Sequence, residues 1–593
     1  MFVRVAPDIP KIEQSYWYVY DTDIRGSESI RVGSIVRIPL HGRRVRGWVC
    51  ELADSEQQLF KPNNDLLDIS KIKNVIEFVS DGPPAHLVEL SEALSRYYLC
   101  SPITFLRAAS PDRIVAGISY DAHTKSEGHA SRVILVDPRA DRREIIREYI
   151  ASDGSTIIIT PDSHSRITSW CQELGFNAIQ YRHGDKSKDD SFRRASTRNC
   201  IVVGGRVALF APVTDCKSII VLDDAYEQLA EERSPRWNVS DCAKFVAQKW
   251  GIDLTFITSV PSVATHSLDV VDKREEQSWP RIAIENRNAA DPALGVFTQP
   301  IVAALTQALE SGHDAVVILN NKVNARFLVC RSCDAVATCE LCNHSVYQDD
   351  EQEQPFVCPT CGASRPSICL ECGATTFKKY RRGLQSTTQD CEALFSKHRV
   401  VEFSKTKDEK IVIDERRDKA TLFVATEALF HRKDLTRRLA CCVFIDIDSM
   451  IFRSGVNAFE QVLVVVNRAL RSLHKTDLRA PMIMATRAPD NILITDIARG
   501  DFVANRDREL ALRKQLHLAP FFATAEITST TPAMDKFVGE VPKDILVGTT
   551  VESDKTTAFL AAADHDTLAE KAYAAVRGLT SNNRCTVSID VYD

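Results

Sequence analysis

Four C-x-x-C pairs constrain the fold of this 593-residue chain more than any other feature. They lie in "CRSCDAVATCELC" at Cys330–Cys342, "CPTC" at Cys358–Cys361 and "CLEC" at Cys369–Cys372, so eight of the 18 cysteines fall within 43 positions. Four thiolates complete a tetrahedral Zn²⁺ site, and eight cysteines therefore predict two closed sites. Because a closed site leaves no position for water, we expect both zinc ions to be structural.

The lengths of the intervening loops predict how the pairs combine. Joining the first pair to the second would close a site across five residues, whereas fifteen residues separate the second pair from the third, a spacing typical of zinc ribbons. A hairpin of that length brings the first and fourth pairs together. The predicted sites are Cys339, Cys342, Cys358 and Cys361 for one zinc, and Cys330, Cys333, Cys369 and Cys372 for the other. The alternatives are unligated buried thiols and a Cys₃His site through His344.

The rest of the composition favours a multidomain protein without a membrane partner. The ten cysteines outside the cluster are scattered without regular spacing, which is typical of reduced, mostly buried thiols. No stretch approaches the roughly 20 apolar residues that span a bilayer, and "MFVRVAPDIPKIEQ" has no signal-like apolar run, so we expect a cytoplasmic protein. The net charge is -6, and any nucleic-acid binding is therefore expected to come from local basic patches.

Hydrophobic patterns divide the chain into successive units. The first hundred or so residues alternate apolar and polar positions in short stretches such as "SIVRIPL", which predicts a small β-rich domain. Short apolar runs with helical spacers then predict parallel α/β structure up to "DAVVILNN", and this pattern resumes after the cysteines with "TLFVATE" and "CVFIDID". The predicted units are a β-rich domain at 1–108, a linker at 109–130, a first α/β half at 131–321, a double zinc module at 322–380, a second α/β half at 381–487 and an α+β domain at 488–593.

Several stretches resemble the primosomal protein N′ (PriA) family, bacterial proteins that restart stalled replication forks. The segments "VGSIVRIPLHGRRVRGWV" and "LSRYYLCSPITFLRAASP" are similar to the family's DNA-binding domain. The segments "IVVGGRVALFAPVTDCKSIIVLDDA" and "FIDIDSMIFRSG" are similar to parts of its two RecA-like helicase halves, and "ELALRKQLHLAPF" to the helix that opens its carboxy-terminal part. The resemblance covers most of the chain and implies a protein that binds branched DNA.

The motif that holds nucleotide phosphates in this family is absent. Family helicases carry a glycine-rich loop with Lys-Thr, in which backbone amides cradle the phosphates, and no such loop occurs in the 593 residues. The corresponding stretch is "ILVDPRADRREII", with Arg139, Arg142 and Arg143 in place of the glycine, lysine and threonine. The 20 residues "PDRIVAGISYDAHTKSEGHA" occupy the place of the family's winged helix and predict a linker.

Two further motifs depart from the family pattern. The Asp-Glu-x-His motif is replaced by Asp223, Asp224, Ala225 and Tyr226. The sixth motif becomes "VVVNRALR", which keeps Arg468 and Arg471, and the alternative for these two is an ordinary solvated helix face. The sequence therefore resembles a branch of the family with degenerate helicase motifs, no catalytic residues and no nucleotide-binding residues.

Two stretches are candidates for DNA contact. A predicted hairpin carries closely spaced cations beside an aromatic residue, a combination that neutralises phosphates and stacks a base. Its members are Arg37, His41, Arg43, Arg44, Arg46 and Trp48. The stretch "SYWYVYD" adds Tyr16, Trp17, Tyr18 and Tyr20, and Trp17 takes the place of an acidic residue in the family's pocket for a nascent 3′ end. The alternatives are a solvated hairpin and an aromatic strand packed into its own core.

The sequence therefore predicts a replication-restart protein with two structural zinc ions, which binds branched or forked DNA and single-stranded DNA and promotes primosome assembly. By family resemblance its partners are other primosome proteins, the replicative helicase and single-strand-binding protein. It is expected neither to hydrolyse ATP nor to unwind DNA. The enzyme alternative is a divergent ATP-dependent superfamily 2 helicase. The third hypothesis is a zinc-ribbon scaffold for partner proteins.

Overall fold

The computed structural model describes most of the chain. The described residues are 1–9, 11–12, 14–21, 30–54, 72–121, 129–162, 164–182, 188–275, 279–287, 296–319, 327–341, 346–348, 355–358, 363–380, 384–404, 419–451, 457–474 and 481–590.

The amino-terminal domain is an antiparallel five-stranded sheet with two helices on part of one face. Its elements are β1 Phe2–Pro7, β2 Tyr16–Val19, β3 Ile35–Leu40, β4 Arg43–Ala53, β5 Glu77–Ser80, α1 Ala85–Tyr97 and α2 Ile103–Ala109. The strand order is β2-β1-β4-β3-β5. One face of the sheet buries Val5, Val36 and Ile38 in a core of its own, and part of the other face packs Trp48 against Leu106 of α2. The β-rich domain predicted for 1–108 is thus present in the described residues.

Part of the predicted linker is fastened to this domain. The segment 110–121 forms no helix or strand, yet Val115 and Ile118 are buried. The Val115 backbone N–H donates to Ser80 Oγ at 2.9 Å, and the Ile118 N–H donates to Asp81 Oδ2 at 2.8 Å. A free linker over all of 109–130 is therefore wrong for its described first half.

The first α/β lobe is a seven-stranded parallel sheet flanked by helices. Its elements are β6 Ser131–Leu135, α3 Arg143–Tyr149, β7 Ser155–Ile159, α4 His164–Glu173, β8 Ala178–Tyr181, α5 Lys188–Ala195, β9 Ile201–Gly204, β10 Cys216–Leu222, α6 Val239–Trp250, β11 Asp253–Thr258 and β12 Asp269–Asp272. The strand order is β12-β6-β11-β10-β7-β9-β8. The central strands β7 and β10 are buried almost throughout, as expected for a parallel sheet covered on both faces.

The second α/β lobe is a six-stranded parallel sheet that begins earlier in the chain than predicted. The elements from 282 to 486, with the cysteine-rich module among them, are β13 Ile282–Asn286, α7 Gln299–Glu310, β14 Asp314–Ile318, β15 Phe327–Cys330, β16 Phe356–Val357, β17 Ser364–Arg365, β18 Phe377–Tyr380, α8 Leu384–Leu394, β19 Arg399–Phe403, β20 Thr421–Ala425, α9 Lys433–Thr436, β21 Leu439–Phe444, α10 Asp448–Ile451, α11 Ala458–Ser472 and β22 Met482–Thr486. The sheet order is β13-β22-β21-β14-β20-β19.

Two strands were assigned to the wrong half. The strand β14, from "DAVVILNN", lies in the middle of the second sheet between β21 and β20, and β13 forms its edge. The predicted boundary at 321 is therefore wrong, because an apolar run shows that a strand is buried without showing which sheet it joins. The cysteine-rich module, with its pairs β15–β18 and β16–β17, is inserted into the second lobe after β14 rather than between the two lobes.

The carboxy-terminal part forms two helices followed by an α+β sandwich. Its elements are α12 Ile492–Arg499, α13 Phe502–Gln515, β23 Ala523–Thr530, α14 Thr531–Glu540, β24 Leu546–Glu552, β25 Lys555–Ala562, α15 His565–Asn582 and β26 Thr586–Ile589. The antiparallel order β24-β25-β23-β26 together with the βαββαβ chain order is the ferredoxin-like arrangement. Its core is continuous with α1, α2 and the first lobe, whereas α12 packs on the second lobe.

Candidate functional site

The cysteine-rich module brings four sulfur atoms together. The Sγ atoms of Cys330, Cys333, Cys369 and Cys372 all lie within 4.8 Å of one another. The Cys330–Cys372 and Cys333–Cys369 sulfur distances are both 3.6 Å. A tetrahedral zinc with Zn–S bonds of about 2.3 Å places its sulfurs about 3.8 Å apart, so the spacing fits this metal. These are the four cysteines that the loop-length argument assigned to the outer site.

The two turns that carry these cysteines have the same backbone geometry. The Asp334 N–H donates to the Cys330 carbonyl at 3.1 Å, and the Gly373 N–H donates to the Cys369 carbonyl at 2.9 Å. Both Asp334 and Gly373 have positive φ, at 59° and 72°. Burial raises the pKa of the Cys330 thiol, but hydrogen bonds from the backbone N–H groups of Cys333 and Ser332 and from neighbouring thiols together lower it, to about 7. The pKa of Cys333 is raised to about 12, mainly by burial, so without a metal the thiols share their protons unequally.

The inner site is described in part. Cys339 and Cys358 are buried in one small core with Phe356. Cys342 and Cys361, and the alternative ligand His344, lie outside the described residues. The second zinc therefore stays a prediction, as does the identity of the metal in the outer site.

The hairpin between β3 and β4 presents a basic surface. The side chains of Arg43, Arg44 and Arg46 are exposed near its tip, and Arg46 lies directly opposite Arg37 across the strands. Arg37 is half-buried and forms an ion pair with Glu77 on β5. Three of the four predicted arginines are thus placed to meet a phosphate backbone, whereas Arg37 is already engaged.

The aromatic residues predicted to stack on DNA are mostly in the core. Trp48 is 4% exposed, and its indole N–H donates to Ser110 Oγ at 2.8 Å. Tyr18 is buried, and burial raises its pKa to about 12. Stacking by Trp48 and Tyr18 is therefore wrong, since neither ring face is open to a base. Trp17 is half-buried opposite Arg4 on β1, so its proposed role stays a prediction.

The loop between β6 and α3, where the phosphate loop would stand, is filled by an ion pair. Arg142 is buried, and its Nη1 lies 2.7 Å from Asp223 Oδ1 at the end of β10. Its Nη2 donates to Ser259 Oγ at 3.1 Å. Arg143 points outward and pairs with Asp141. The arginine at the lysine position therefore binds the carboxylate that would hold Mg²⁺ in a motor of this type.

The second lobe supplies further contacts to the same place. Arg471 on α11 binds Asp223 through the second carboxylate oxygen, and Asp223 raises the pKa of Arg471. The Arg468 guanidinium lies 4.4 Å from the centre of the Tyr226 ring, and Arg139 Nε donates to the Leu470 carbonyl at 3.0 Å. The solvated-face alternative is wrong for Arg468, which is 8% exposed, because α11 packs this side against the first lobe.

Asp224, which occupies the position of the catalytic carboxylate, faces away from this network. It lines a different cavity from the one bounded by Arg139, Arg142 and Asp223. Sequence reasoning identified each substituted position separately and missed that the substituted residues bind one another. The sequence signal that could have indicated this is that the substitutions occur together. Arg142 replaces the lysine and shares Asp223 with the retained Arg471, and Tyr226 replaces the histidine and contacts the retained Arg468.

The described helices include none that is long and apolar enough to cross a membrane. Two parallel α/β lobes, an antiparallel domain with a basic hairpin and a four-cysteine cluster together define a two-lobed α/β protein with a possible metal centre.

The comparisons show which known proteins the chain is similar to. Residues 4–111 match the 3′ DNA-binding domain of PriA. The chain is 23% identical over 353 residues to the replication restart protein PriA of Haemophilus influenzae, covering 56% of this chain and 47% of that protein. It is 21% identical over 464 residues to PriA of Helicobacter pylori strain 26695, covering 73% of each. It is 22% identical to a probable PriA of Mycobacterium leprae, covering 90% of this chain and 88% of that protein. The chain is therefore similar to PriA replication restart proteins, and its residues 4–111 match the 3′ DNA-binding domain of that family.

The extent of these matches differs among relatives. The chain spans about half of the length of the Haemophilus influenzae protein and about three quarters of that of the Helicobacter pylori protein. Among solved structures, the Hef helicase domain of Pyrococcus furiosus aligns with 60% of this chain and 92% of its own length, at 8% identity and a TM-score of 0.26. A score of that size does not establish a shared fold.

Proposed function

We propose that this protein recognises stalled or abandoned replication forks and promotes primosome assembly and reloading of the replicative helicase, without hydrolysing ATP or unwinding DNA. The observation that carries the proposal is Asp223, whose two carboxylate oxygens bind Arg142 from the first lobe and Arg471 from the second. The residues of the motor site hold the two lobes to each other.

The amino-terminal domain supports the DNA-binding half of the proposal. Its match to a 3′ DNA-binding domain covers the whole β3–β4 hairpin. The exposed cations Arg43, Arg44 and Arg46 are compact enough to meet neighbouring phosphates, and release of counterions drives such binding without sequence preference. Fork binding therefore needs no nucleotide.

The interlobe network supports the loss of motor activity. Hydrolysis of ATP requires backbone amides and a lysine around the phosphates, together with a carboxylate free to hold Mg²⁺. Here the lysine position is Arg142, bound to Asp223, and the carboxylate of Asp224 points into another cavity. Binding of Mg·ATP in the family manner would have to break a buried ion pair between oppositely charged groups, which costs several kcal/mol when a partner is left unpaired, about 3–5 by general experience.

The zinc module offers surface for the partners that family resemblance implies, which are other primosome proteins, the replicative helicase and single-strand-binding protein. Leu341 and Leu370 lie at the tips of two cysteine turns and are 79% and 54% exposed. Arg365 joins these turns, because its guanidinium donates to the carbonyls of Thr338 and Ile368. Exposed leucines on the cysteine-rich module favour contact with partner proteins. The scaffold hypothesis is then compatible with replication restart, because the module would bind the other restart proteins.

The test compares fork binding and ATP turnover in the same preparation. Forks with and without a nascent 3′ end are titrated by fluorescence anisotropy, with and without Mg·ATP, and phosphate release is followed with the same forks. We expect fork affinity to be unaffected by ATP and no DNA-stimulated hydrolysis. Turnover of about 1 s⁻¹ that disappears in Asp223→Asn would instead establish the helicase alternative.

A further inference from the structure

A large cavity lies where four parts of the chain meet. It encloses about 740 Å³ and is bounded by α1 through Tyr97, by the first lobe through Asp224 and Ser262, by α11 through Glu460 and by the carboxy-terminal domain through His565. Asp224 and Glu460 line neither of the two cavities around the degenerate phosphate loop, although Tyr226 lines both this cavity and one of those two. The fork-binding proposal does not use this cavity.

The charge of the cavity is strongly negative. Seven Asp or Glu side chains line it against three Lys or Arg side chains, which gives a formal charge of 3 − 7 = −4. Much of this charge is compensated locally, since Asp241 pairs with Lys244, Glu231 with Arg206, Glu227 with Arg468 and Asp590 with His565. An excess of acidic side chains does not by itself define a binding site. The hydrogen-bond partners of the buried carboxylates must also be considered.

One buried carboxylate oxygen in the wall has no hydrogen bond of normal geometry among the described residues. Asp224 is 6% exposed; its Oδ2 accepts the Ser262 N–H at 3.2 Å, while its Oδ1 has no such partner. The Ser262 side chain lies beside the same carboxylate and lowers its pKa, against the larger effect of burial. A buried carboxylate oxygen left in this state costs free energy unless a donor reaches it from the cavity.

A second carboxylate approaches the same point from the other lobe. Glu460 Oε1 accepts the Val263 N–H at 3.3 Å, so adjacent backbone amides, those of Ser262 and Val263, hold the two acids. Burial raises the pKa of Asp224 to about 6 and that of Glu460 to about 7. The charged groups that face them are Asp223, Arg513 and Glu509, so the protein supplies one nearby cation for several acids.

We propose that this cavity binds a small organic polycation, an aliphatic polyamine of the spermidine type. Its ammonium groups donate to Asp224 Oδ1 and to Glu460, which the consecutive N–H groups of Ser262 and Val263 hold close together. Its methylene chain lies along apolar parts of the lining such as Leu229 and Pro520. Among the described residues, the Cys₄ cluster is the sole group of three or more His, Cys, Asp or Glu ligands close enough to hold a metal, so these acids do not form a compact metal cage. The cavity is also far larger than a single ion requires.

The proposal is tested by titrating spermidine into the full chain by isothermal calorimetry at constant ionic strength. The cavity variant is Asp224→Asn with Glu460→Gln, which keeps the shape and hydrogen bonding of both side chains. The control is Glu552→Gln with Asp554→Asn, which removes the same charge from an exposed turn. We expect saturable binding of one spermidine per chain, an affinity at least tenfold weaker in the cavity variant, and wild-type affinity in the control.

Two results would overturn the proposal. Equal spermidine affinity in all three proteins would mean general attraction to an acidic surface. Saturable binding of Mg²⁺ that depends on the same two carboxylates and excludes spermidine would mean a divalent-cation site. Thermal unfolding and zinc content of each variant show whether it is folded. The fork-binding titration fails or succeeds independently, since the cavity residues are not part of the basic hairpin.

Discussion

At the scale of single residues, Asp223 is the point on which the interlobe network depends. Its backbone has a φ of 53°, and its carboxylate accepts guanidinium groups from both lobes. Buried ion pairs contribute little net stability compared with apolar replacements, but removal of one partner leaves a buried charge without compensation. A substitution that removes only Asp223, compared with one that removes Asp223 and Arg142 together, therefore shows how much stability depends on this ion pair.

Substitution of Asp223 by Ala is expected to destabilise the protein by about 3–5 kcal/mol, because the buried Arg142 guanidinium loses its counter-charge. The double change Asp223→Leu with Arg142→Met should recover part of this loss. Urea unfolding followed by tryptophan fluorescence measures both. The control is Arg143→Ala, which removes an exposed pair on the same loop and should change the midpoint little. An Asp223→Ala midpoint equal to that of the control would contradict this role.

The buried carboxyl groups predict a pH dependence of stability. The pKa of Asp224 in the folded chain is raised to about 6, so between about pH 4 and 6 the folded state holds a proton that the unfolded state releases. Its contribution to stability is therefore present at low pH and is lost as pH rises. The stability of Asp224→Asn relative to wild type should increase from pH 5 to pH 7.5 by about 1.4 kcal/mol, since about one pH unit of the proton linkage lies in that range. If the unfolding free energies of the two proteins changed with pH in parallel, the raised pKa of Asp224 would be ruled out.

At the scale of elements, the β3–β4 hairpin and the cysteine turns are the candidates for DNA contact and for metal binding, and each can be tested separately. The hairpin places Arg44 and Arg46 two positions apart on one strand, so both lie on the same face of the sheet. The base of that face packs Trp48 against α2, which leaves the tip for DNA. The cysteine turns bring four sulfurs within 4.8 Å of one another, and we expect a bound metal to stabilise them.

Replacement of Arg43, Arg44 and Arg46 by Ala should weaken fork binding and reduce the log–log salt slope by about 0.9 for each duplex phosphate that the variant no longer neutralises. Binding isotherms over a range of salt concentrations measure the slope. The matched control replaces Lys536, Lys543 and Lys555, three exposed lysines of the carboxy-terminal domain, by Ala. If both triple variants change the slope equally, the hairpin has no special role.

Native mass spectrometry is expected to show two zinc ions per chain in protein purified without chelators. Cys369→Ser should lose one zinc and unfold the β15–β18 pair, and Cys339→Ser should lose the other. Structural zinc contributes about 10–16 kcal/mol of apparent binding free energy in small peptides, so the loss should be local and complete. One zinc in the wild-type protein would refute the inner site, and none would refute both.

At the scale of the whole molecule, the carboxy-terminal sheet, the first lobe and the amino-terminal helices share one core. Tyr97 of α1 stacks on His565 of α15 at 3.8 Å between ring centres, and α11 closes the cleft between the lobes. The shared core does not include the second lobe, and it is the contacts of α11 with Arg139, Asp223 and Tyr226 that favour a fixed arrangement of the lobes. A motor, in contrast, alternates between open and closed states when nucleotide binds.

We therefore expect Mg·ATP to leave the distance between the lobes unchanged. Fluorescence energy transfer between labels at Glu173 and Lys397, both exposed and on different lobes, would report the distance. The expected transfer efficiency is the same with and without Mg·ATP. A nucleotide-dependent change in wild type that is absent in Asp223→Asn would show a working motor cycle.

The sequence by itself determined the features that depend on local chemistry. The spacing of Cys330, Cys333, Cys369 and Cys372 predicted their grouping because a short loop limits which turns can meet. The substitution of Arg142 for lysine predicted a lost phosphate loop because no arrangement of that side chain restores a glycine-rich backbone. The arginines of the hairpin were placed correctly at an exposed turn by their alternation and by Gly42, whose φ is 75°.

Tertiary structure alone decided which residues share a surface. The strand Asp314–Ile318 joined the second sheet, and Trp48 and Tyr18 entered cores, because burial depends on what packs across a strand and not on its own pattern. The same holds for Arg468 and Arg471, which a helical pattern cannot distinguish from a solvated face. The partnership of Asp223 with arginines more than 80 positions away on either side arises from the meeting of two lobes, and no local sequence signal encodes that meeting.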